Sequence, residues 1–245
     1  MIRQFAPPYV PPDALAATLR AQGYAALSPA GLGELAGVGP AALDALRPSW
    51  NDLPPDLHLR DGGNYRRRRH SCFVVRGVEI ERVAHRAHWQ PREYNALHGG
   101  IERWFEPVAP STLDRPAWPL LLHGLASAFS ALKGAQPWFV EAHQFRIDTT
   151  EGIGRPTPEG AHRDGVDFVA LIMVQRVGVK GGETRVFEAD GPAGERFTMS
   201  EPWSALLLDD ERVVHESTPI QPEGEGGHRD TLVLTYRAGD FQGPP

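Results

Sequence analysis

His162 and Asp164 stand two positions apart at the mouth of a long apolar run, AHRDGVDFVALIMV, and His215 follows later in VVHESTPI. Side chains at i and i+2 of a strand point to one face, so an imidazole and a carboxylate converge wherever this segment is extended. If His215 arrives on a neighbouring strand, the three complete a two-histidine, one-carboxylate facial triad. Such a triad leaves about three positions of an octahedral metal open, and its donors suit non-haem iron(II) acting on dioxygen. Arg229 lies further on in HRDTLVLTYRA, with Thr231 two residues along on the same strand face. A guanidinium fork with an adjacent hydroxyl is what a small dicarboxylate needs, because the fork pairs bidentately with one carboxylate and the hydroxyl adds a donor.

The elements that must position these groups are β-type. From Trp138 onward short apolar runs are separated by Gly, Pro and Asp, the texture of a sandwich or barrel. Strands are expected over 138–147, 166–177, 184–188, 196–199, 205–208, 213–220 and 231–237. The second is apolar on both faces, with Phe168, Ala170, Ile172 and Val174 on one and Val169, Leu171 and Met173 on the other, so it should be central and doubly covered. Gly181 and Gly182 fit a tight turn after it. The interval from Asp164 to His215 leaves room for roughly four strands, and strands so separated become neighbours in a Greek-key barrel.

The first half of the chain is mixed. Four prolines in residues 1–12 predict an extended arm, after which Asp13 is a candidate cap for a helix carrying Leu15, Ala16 and Leu19 and ending near Gly23. A short run over 24–27 and two helical segments over 32–46 follow. Gly31, Gly33 and Ala36 match a dinucleotide-binding fingerprint, but no βαβ unit surrounds them, so they read as a loop and helix start. Residues 47–64 are loop-like, and RRRRHSCFVVRG is a strand running into a turn at Gly77. Its arginines alternate faces, so an inward pair, Arg66 and Arg68, beside Tyr65 is a candidate carboxylate clamp. The competing account is a solvated edge strand guarded by charge. Arg146 is a candidate for contact with substrate or cosubstrate, and Arg237 is a rival to Arg229. His85 and His88 would share one face of a helix, and they read, with His58, His70, His98 and His123, as surface or capping residues. Trp118, Leu121, Leu122, Leu125, Phe129 and Leu132 recur with helical period and should pack as one stripe against a sheet.

With 245 residues, 41% hydrophobic and 23% charged, the chain is expected to form one domain over 1–245. Its net charge of −6 disfavours nucleic acid or an anionic membrane as partner. Cys72 alone rules out a disulfide framework within the chain and points to a reducing compartment. Prolines interrupt any signal-like segment and no apolar run reaches the ~18 residues of a membrane span, so the cytoplasm is the expected location.

The order HxD, GGET, distal histidine, RxT resembles the iron(II)/2-oxoglutarate-dependent dioxygenases with a double-stranded β-helix core. The strings PTPEGAHRDGVDF and RDTLVLTYR resemble, more narrowly, a bacterial branch that includes free L-amino-acid hydroxylases such as isoleucine 4-hydroxylase, and relatives tied to biofilm and stress phenotypes. The resemblance covers about residues 138–240 and, in the first half, mainly SWNDLPPDL and NYRRRRH. It implies a mainly β fold with flanking helices: a jelly-roll, cupin-like core over 138–240, with an α+β N-terminal portion over 1–137 packed on it. It implies that His162, Asp164 and His215 bind Fe(II), and that 2-oxoglutarate chelates the metal while its other carboxylate rests on Arg229 and Thr231. O2 would take the last position. The implied reaction is hydroxylation of a C–H bond of a small polar molecule, a free L-amino acid, with release of succinate and CO2. Arg66, Arg68 and Arg146 are then substrate-side candidates, with Glu141 for an ammonium group. Competing readings are a non-catalytic metal- or 2-oxoglutarate-binding regulator, an oxygenase acting on a peptide or nucleobase, and a metallohydrolase, which would have no use for Arg229 and Thr231.

Overall fold

The computed structural model describes residues 5–244, so the first four residues of the proline-rich arm lie outside the described residues. Five α-helices occur in it: α1 (Leu15–Gln22), α2 (Pro29–Ala36), α3 (Pro40–Asp44), α4 (Pro110–Leu113) and α5 (Ala117–Lys133). The strands of the first half are β1 (Tyr24–Leu27), β2 (Arg66–Arg76) and β3 (Glu79–Arg82). The second half supplies β4 (Trp138–Asp148), β5 (Phe168–Val177), β6 (Val179–Gly181), β7 (Thr184–Glu188) and β8 (Gly194–Phe197). It continues with β9 (Ala205–Asp209), β10 (Val213–Ser217), β11 (Ile220–Pro222) and β12 (His228–Arg237). A seven-stranded sheet runs β1-β9-β5-β12-β4-β2-β3, opposite a three-stranded sheet β10-β7-β8 and a β11-β6 pair. This is the jelly roll with flanking helices that the sequence leads one to expect.

Alternation along the strands decides what each face meets. Phe168, Ala170 and Ile172 of β5, Trp138 and Val140 of β4, and Leu234 and Tyr236 of β12 form one cluster with Trp118, Leu121, Leu125 and Phe129 of α5. Phe129 stacks on Phe168 with ring centroids 4.4 Å apart, and Tyr236 donates its hydroxyl to the Leu122 carbonyl at 3.1 Å. A Cβ on Gly124 would stand 2.7 Å from Ala36 Cα, so the missing side chain is what lets α2 lie against α5. On the opposite face Val169, Leu171 and Met173 of β5 join Leu206 and Leu208 of β9 against Val186, Phe197 and Val213. The doubly apolar run 166–177 is therefore a central strand covered on both sides, with burial of each large side chain contributing roughly 1.5–3 kcal/mol.

Several elements differ from expectation for identifiable reasons. Asp13 does not cap a helix; it lies in a single 3-10 turn, Pro12–Ala14, that runs into α1. The run 213–220 divides into β10 and β11 at Pro219, which has no N–H to offer a ladder. Gly31 and Gly33 lie within α2, whose N-cap Ser28 accepts the Gly31 N–H at 3.1 Å. His85 and His88 lie in irregular chain, not on a helix. Strands β1 and β2, from the first half, pair with β9 and β4 inside the large sheet. Nor is the arginine half of β2 a solvated edge: residues 54–56 cover it, with Asp56 N–H on the Arg66 carbonyl at 2.9 Å and Arg68 N–H on the Pro54 carbonyl at 3.0 Å.

Candidate active site

His162 and His215 meet through one antiparallel bridge, each donating its backbone N–H to the other's carbonyl at 3.1 and 2.9 Å. The bridge brings the two rings to 4.7 Å between centroids. The HxD segment is not the strand expected from its spacing. After His162 the chain leaves the bridge and turns around the Asp210 carboxylate, which accepts the N–H groups of Asp164 at 3.0 Å, Gly165 at 2.7 Å and Val166 at 3.1 Å. Gly165, with φ +76°, takes a left-handed conformation there, in a space where Tyr94 would meet any Cβ.

One donor atom from each of His162, Asp164 and His215 lies within 4.8 Å of the others, so the three fit a metal's ligand set. The His162 ring donates Nδ1–H to the Gly160 carbonyl at 2.9 Å, which leaves Nε2 as the lone pair, 3.9 Å from Asp164 Oδ1. Gln90 Nε2 steadies Asp164 by donating to Oδ1 at 2.9 Å. Burial holds His215 well below the usual imidazole range, hence neutral, as a metal ligand must be. Burial also raises the Asp164 carboxyl, a shift that a bound cation reverses.

The triad forms one end of a cavity between the two sheets, and Arg229 and Thr231 line it from β12. Arg229 is 3% exposed, and its Nε and Nη2 have no partner. Its neighbour Asp230 is engaged elsewhere, accepting Arg146 at 2.8 and 2.7 Å and Gln175 at 2.7 Å. Burial and the nearby Arg176 push the Arg229 guanidinium down to about 9. Gly181 and Gly182 form the expected turn, with φ of +78° and +65°, and a Cβ on Gly182 would stand 2.8 Å from both Arg176 Nη1 and Ile220 Cγ2. Arg146 is a correction to the sequence reading: its fork closes on Asp230 and it does not line the cavity. Arg237 reaches the Asp240 carbonyl at 2.5 Å and is likewise no rival to Arg229.

Two strands along the same sheet, in register with Arg229 and Thr231 across β4, β2 brings Arg66 and Arg68 to the cavity, both buried, while Arg67 and Arg69 turn outward. Arg66 Nε donates to Asp56 Oδ2 at 2.7 Å. The Arg68 guanidinium lies between Phe105, 3.8 Å from the ring centroid, and Phe145, at 4.4 Å. It also donates Nη2–H to His143 Nδ1 at 2.7 Å. Gln90, Asn95, His98, Arg103 and Glu159 complete this side. His98, expected at the surface, is buried here, and the other four were not singled out from sequence. Residues 90–103 are irregular chain without periodicity, and Glu159 sits inside PTPEGAH without a partner at any telling spacing.

His70 and His88 are also corrections, being buried in a network and not at the surface. Glu141 Oε2 accepts His70 Nε2–H at 2.8 Å and His88 Nδ1–H at 2.7 Å, with His143 Nε2 at 3.8 Å. The four side chains are close enough to suggest a second metal. The donor pattern argues otherwise: an arginine only donates, so His143 Nδ1 carries the lone pair and its proton sits on Nε2, facing Glu141. Burial alone would raise Glu141, but the His88 and His70 donors outweigh it and keep the carboxylate ionised, while burial pushes His88 down to about 3.

The family model for 2OG-Fe dioxygenases matches residues 47–235, a span that holds the triad and Arg229. The chain belongs to the 2OG-Fe dioxygenase family. It is 52% identical to a bsmA homologue from Methylobium petroleophilum, with 100% of each chain covered and a TM-score of 0.92. IDO from Bacillus thuringiensis shares the fold at 18% identity, covering 93% of this dioxygenase and 99% of that chain with a TM-score of 0.75. A Pseudomonas putida prolyl-4-hydroxylase shares it at 14% identity, covering 95% of this chain and 100% of its own with a TM-score of 0.51. Curated proteins gave no match. The dioxygenase is an oxidoreductase that uses Fe(II), 2-oxoglutarate and O2, and its triad and unpartnered Arg229 fit those groups. Among the described residues no helix is long and apolar enough to cross a membrane.

Proposed function

We propose that this dioxygenase hydroxylates a C–H bond of a free L-amino acid while 2-oxoglutarate is converted to succinate and CO2. In this reading His162, Asp164 and His215 hold Fe(II), and Arg229 with Thr231 receives the distal carboxylate of 2-oxoglutarate. The observation that carries it is Arg229, a buried guanidinium with unpartnered Nε and Nη2 in the same cavity as the triad. An uncompensated buried charge is costly, so a ligand carboxylate is the expected partner. Bound iron supplies activation of O2 coupled to decarboxylation of the cosubstrate. The chain's own part is positioning: the Gly160 carbonyl sets the His162 tautomer, Gln90 steadies Asp164, and Leu171, Val233, Phe145 and Ile147 present apolar surface that excludes water. A hydrolase would gain nothing from Arg229. The buried lone Cys72 suits the cytoplasm, which fractionation of the native host would check.

Succinate formation from 2-oxoglutarate, followed with and without each of the common free L-amino acids, tests the proposal. Succinate should rise with at least one amino acid and vanish in His162→Ala. Tight 2-oxoglutarate binding with no amino-acid-dependent turnover would overturn the substrate class, and absence of 2-oxoglutarate binding would overturn the role of Arg229.

A further inference from the structure

Beyond Arg229, the cavity holds a second arginine with no carboxylate in ion-pair contact, Arg103, and a carboxylate with no cation of an arginine or lysine beside it, Glu159. Arg103 is 2% exposed; its Nη2 donates to Gln90 Oε1 at 2.9 Å, its Nε has no partner, and among the described residues no carboxylate pairs with it. Arg66 Nη2 and Arg68 Nε are also buried without a partner, but those two guanidinium groups share the Asp56 carboxylate, at 2.7 and 3.9 Å, whereas the side-chain acceptor of Arg103 is the neutral Gln90 amide. Glu159 is the counterpart. Its side chain is 12% exposed, Oε2 is buried without a hydrogen bond, and Oε1 stands 3.9 Å from His162 Nε2, an atom whose lone pair belongs to the metal in the reading above. Arg103 and Glu159 line the same cavity yet form no ion pair with each other.

We infer that Arg103 and Glu159 are the two poles of the substrate subsite, Arg103 receiving the α-carboxylate and Glu159 the α-ammonium of a free amino acid. The inference rests on the reading of this site as an amino-acid hydroxylase and adds its recognition residues. Leaving a buried guanidinium and a buried carboxylate unpaired is destabilising, and a zwitterion compensates both at once, whereas a simple carboxylic acid or an amine compensates one and leaves the other stranded. The head group is thereby fixed at both charges, which leaves the side chain as the part free to extend toward the metal. Glu159 lies three residues before His162, and Arg103 reaches Asp164 through Gln90, so both poles are tied to the metal ligands by short covalent or hydrogen-bonded links. Position relative to the iron is thus set by the same scaffold that sets the ligands.

The test is calorimetric binding to the full-length protein loaded with Fe(II) and 2-oxoglutarate without oxygen, so that nothing turns over. Probes are the common L-amino acids and, for the tightest binder, its carboxamide and its deaminated acid. In the unaltered protein each altered probe should bind about ten- to a hundredfold more weakly than the amino acid, the loss expected for one charged hydrogen-bonding partner. Glu159→Gln should abolish the preference for the amino acid over the deaminated acid while keeping that over the carboxamide, and Arg103→Gln should do the reverse, with bound iron and 2-oxoglutarate unchanged in both. If a variant fails to fold, the probe comparison on the unaltered protein still decides: equal affinity for the amino acid and both altered probes sinks the assignment. An amino acid that binds while both variants keep its full discrimination overturns the two poles and leaves the substrate class standing. Failure of every amino acid to bind, with 2-oxoglutarate still bound, overturns class and poles together.

Discussion

Two arginines on adjacent core strands show how little a residue's type says without its partner. Arg229 and Arg146 lie on neighbouring strands, β12 and β4, both close to Asp230 in the chain or in space, and both were candidates for ligand contact. Asp230 is fully buried and faces away from the cavity, so Arg146 completes an internal ion pair and Arg229 has none. Opposite consequences follow. Arg229→Gln should weaken 2-oxoglutarate binding by about a hundredfold, the loss of a bidentate charged contact, while iron content stays unchanged. Calorimetry against the iron-loaded protein reads this, and an unaltered affinity would falsify the cosubstrate role. Arg146→Met leaves Asp230 with Gln175 at 2.7 Å and the His228 ring at 3.7 Å, and should cost about 2–4 kcal/mol of stability in denaturant unfolding. The 2-oxoglutarate affinity of that variant should stay within about twofold, and a large loss would return Arg146 to the site.

The segment that delivers Asp164 is an irregular loop that a single carboxylate organises. Asp210, fully buried beside β9, accepts three successive backbone N–H groups from Asp164, Gly165 and Val166, and thereby aims the ligand. Asp210→Asn replaces one acceptor oxygen by an NH2 that faces N–H donors, so the loop should loosen. Iron affinity should fall ten- to a hundredfold, as for other outer supports of metal ligands, with secondary structure intact by circular dichroism. Iron titration with undiminished affinity would sink that account. The sequence pattern predicted the convergence of His162 and Asp164 correctly but assigned it to strand alternation, because HxD directly precedes an apolar run and spacing carries no sign of a capping carboxylate from another segment. Where contacts are local the reading succeeded: the two-sided apolar character of β5 and the helical stripe of α5 both follow from periodicity. The His70, His88, Glu141 and His143 network was invisible because it comes from β2, irregular chain and β4. Only the pairing register that sets His70 opposite His143 brings it together.

At the scale of the whole molecule, β1 from the first half forms one edge of the sheet that the second half builds and β2 lies inside it between β4 and β3, so neither can leave without exposing its neighbours. We therefore expect one cooperative unfolding transition over residues 1–245, and that transition should be acid-sensitive in a defined window. Burial lowers His70 and His143 and pushes His88 to about 3 from an ordinary 6.5. Across that interval the unfolded chain binds protons that the folded chain refuses, so stability rises with pH from about 3 to about 6.5 and is lost as pH falls through it. Asp56 acts in the same sense at lower pH: burial would raise it, but Arg66 and Arg68 outweigh that and hold it below 3.8, so its contribution is present above that value and disappears on further acidification. Burial and the Asp164 charge raise Asp210 to about 7, which opposes this trend in the same window as one group against three imidazoles, so the midpoint of thermal unfolding measured between pH 4 and pH 7 should show a net climb. In His88→Asn an amide stands near the ring's Nδ1 and still donates to Glu141 but cannot take up a proton, so the slope should flatten. A midpoint independent of pH in the unaltered protein, or a slope unchanged in His88→Asn, would show that the buried imidazoles are not what ties this fold to neutral pH.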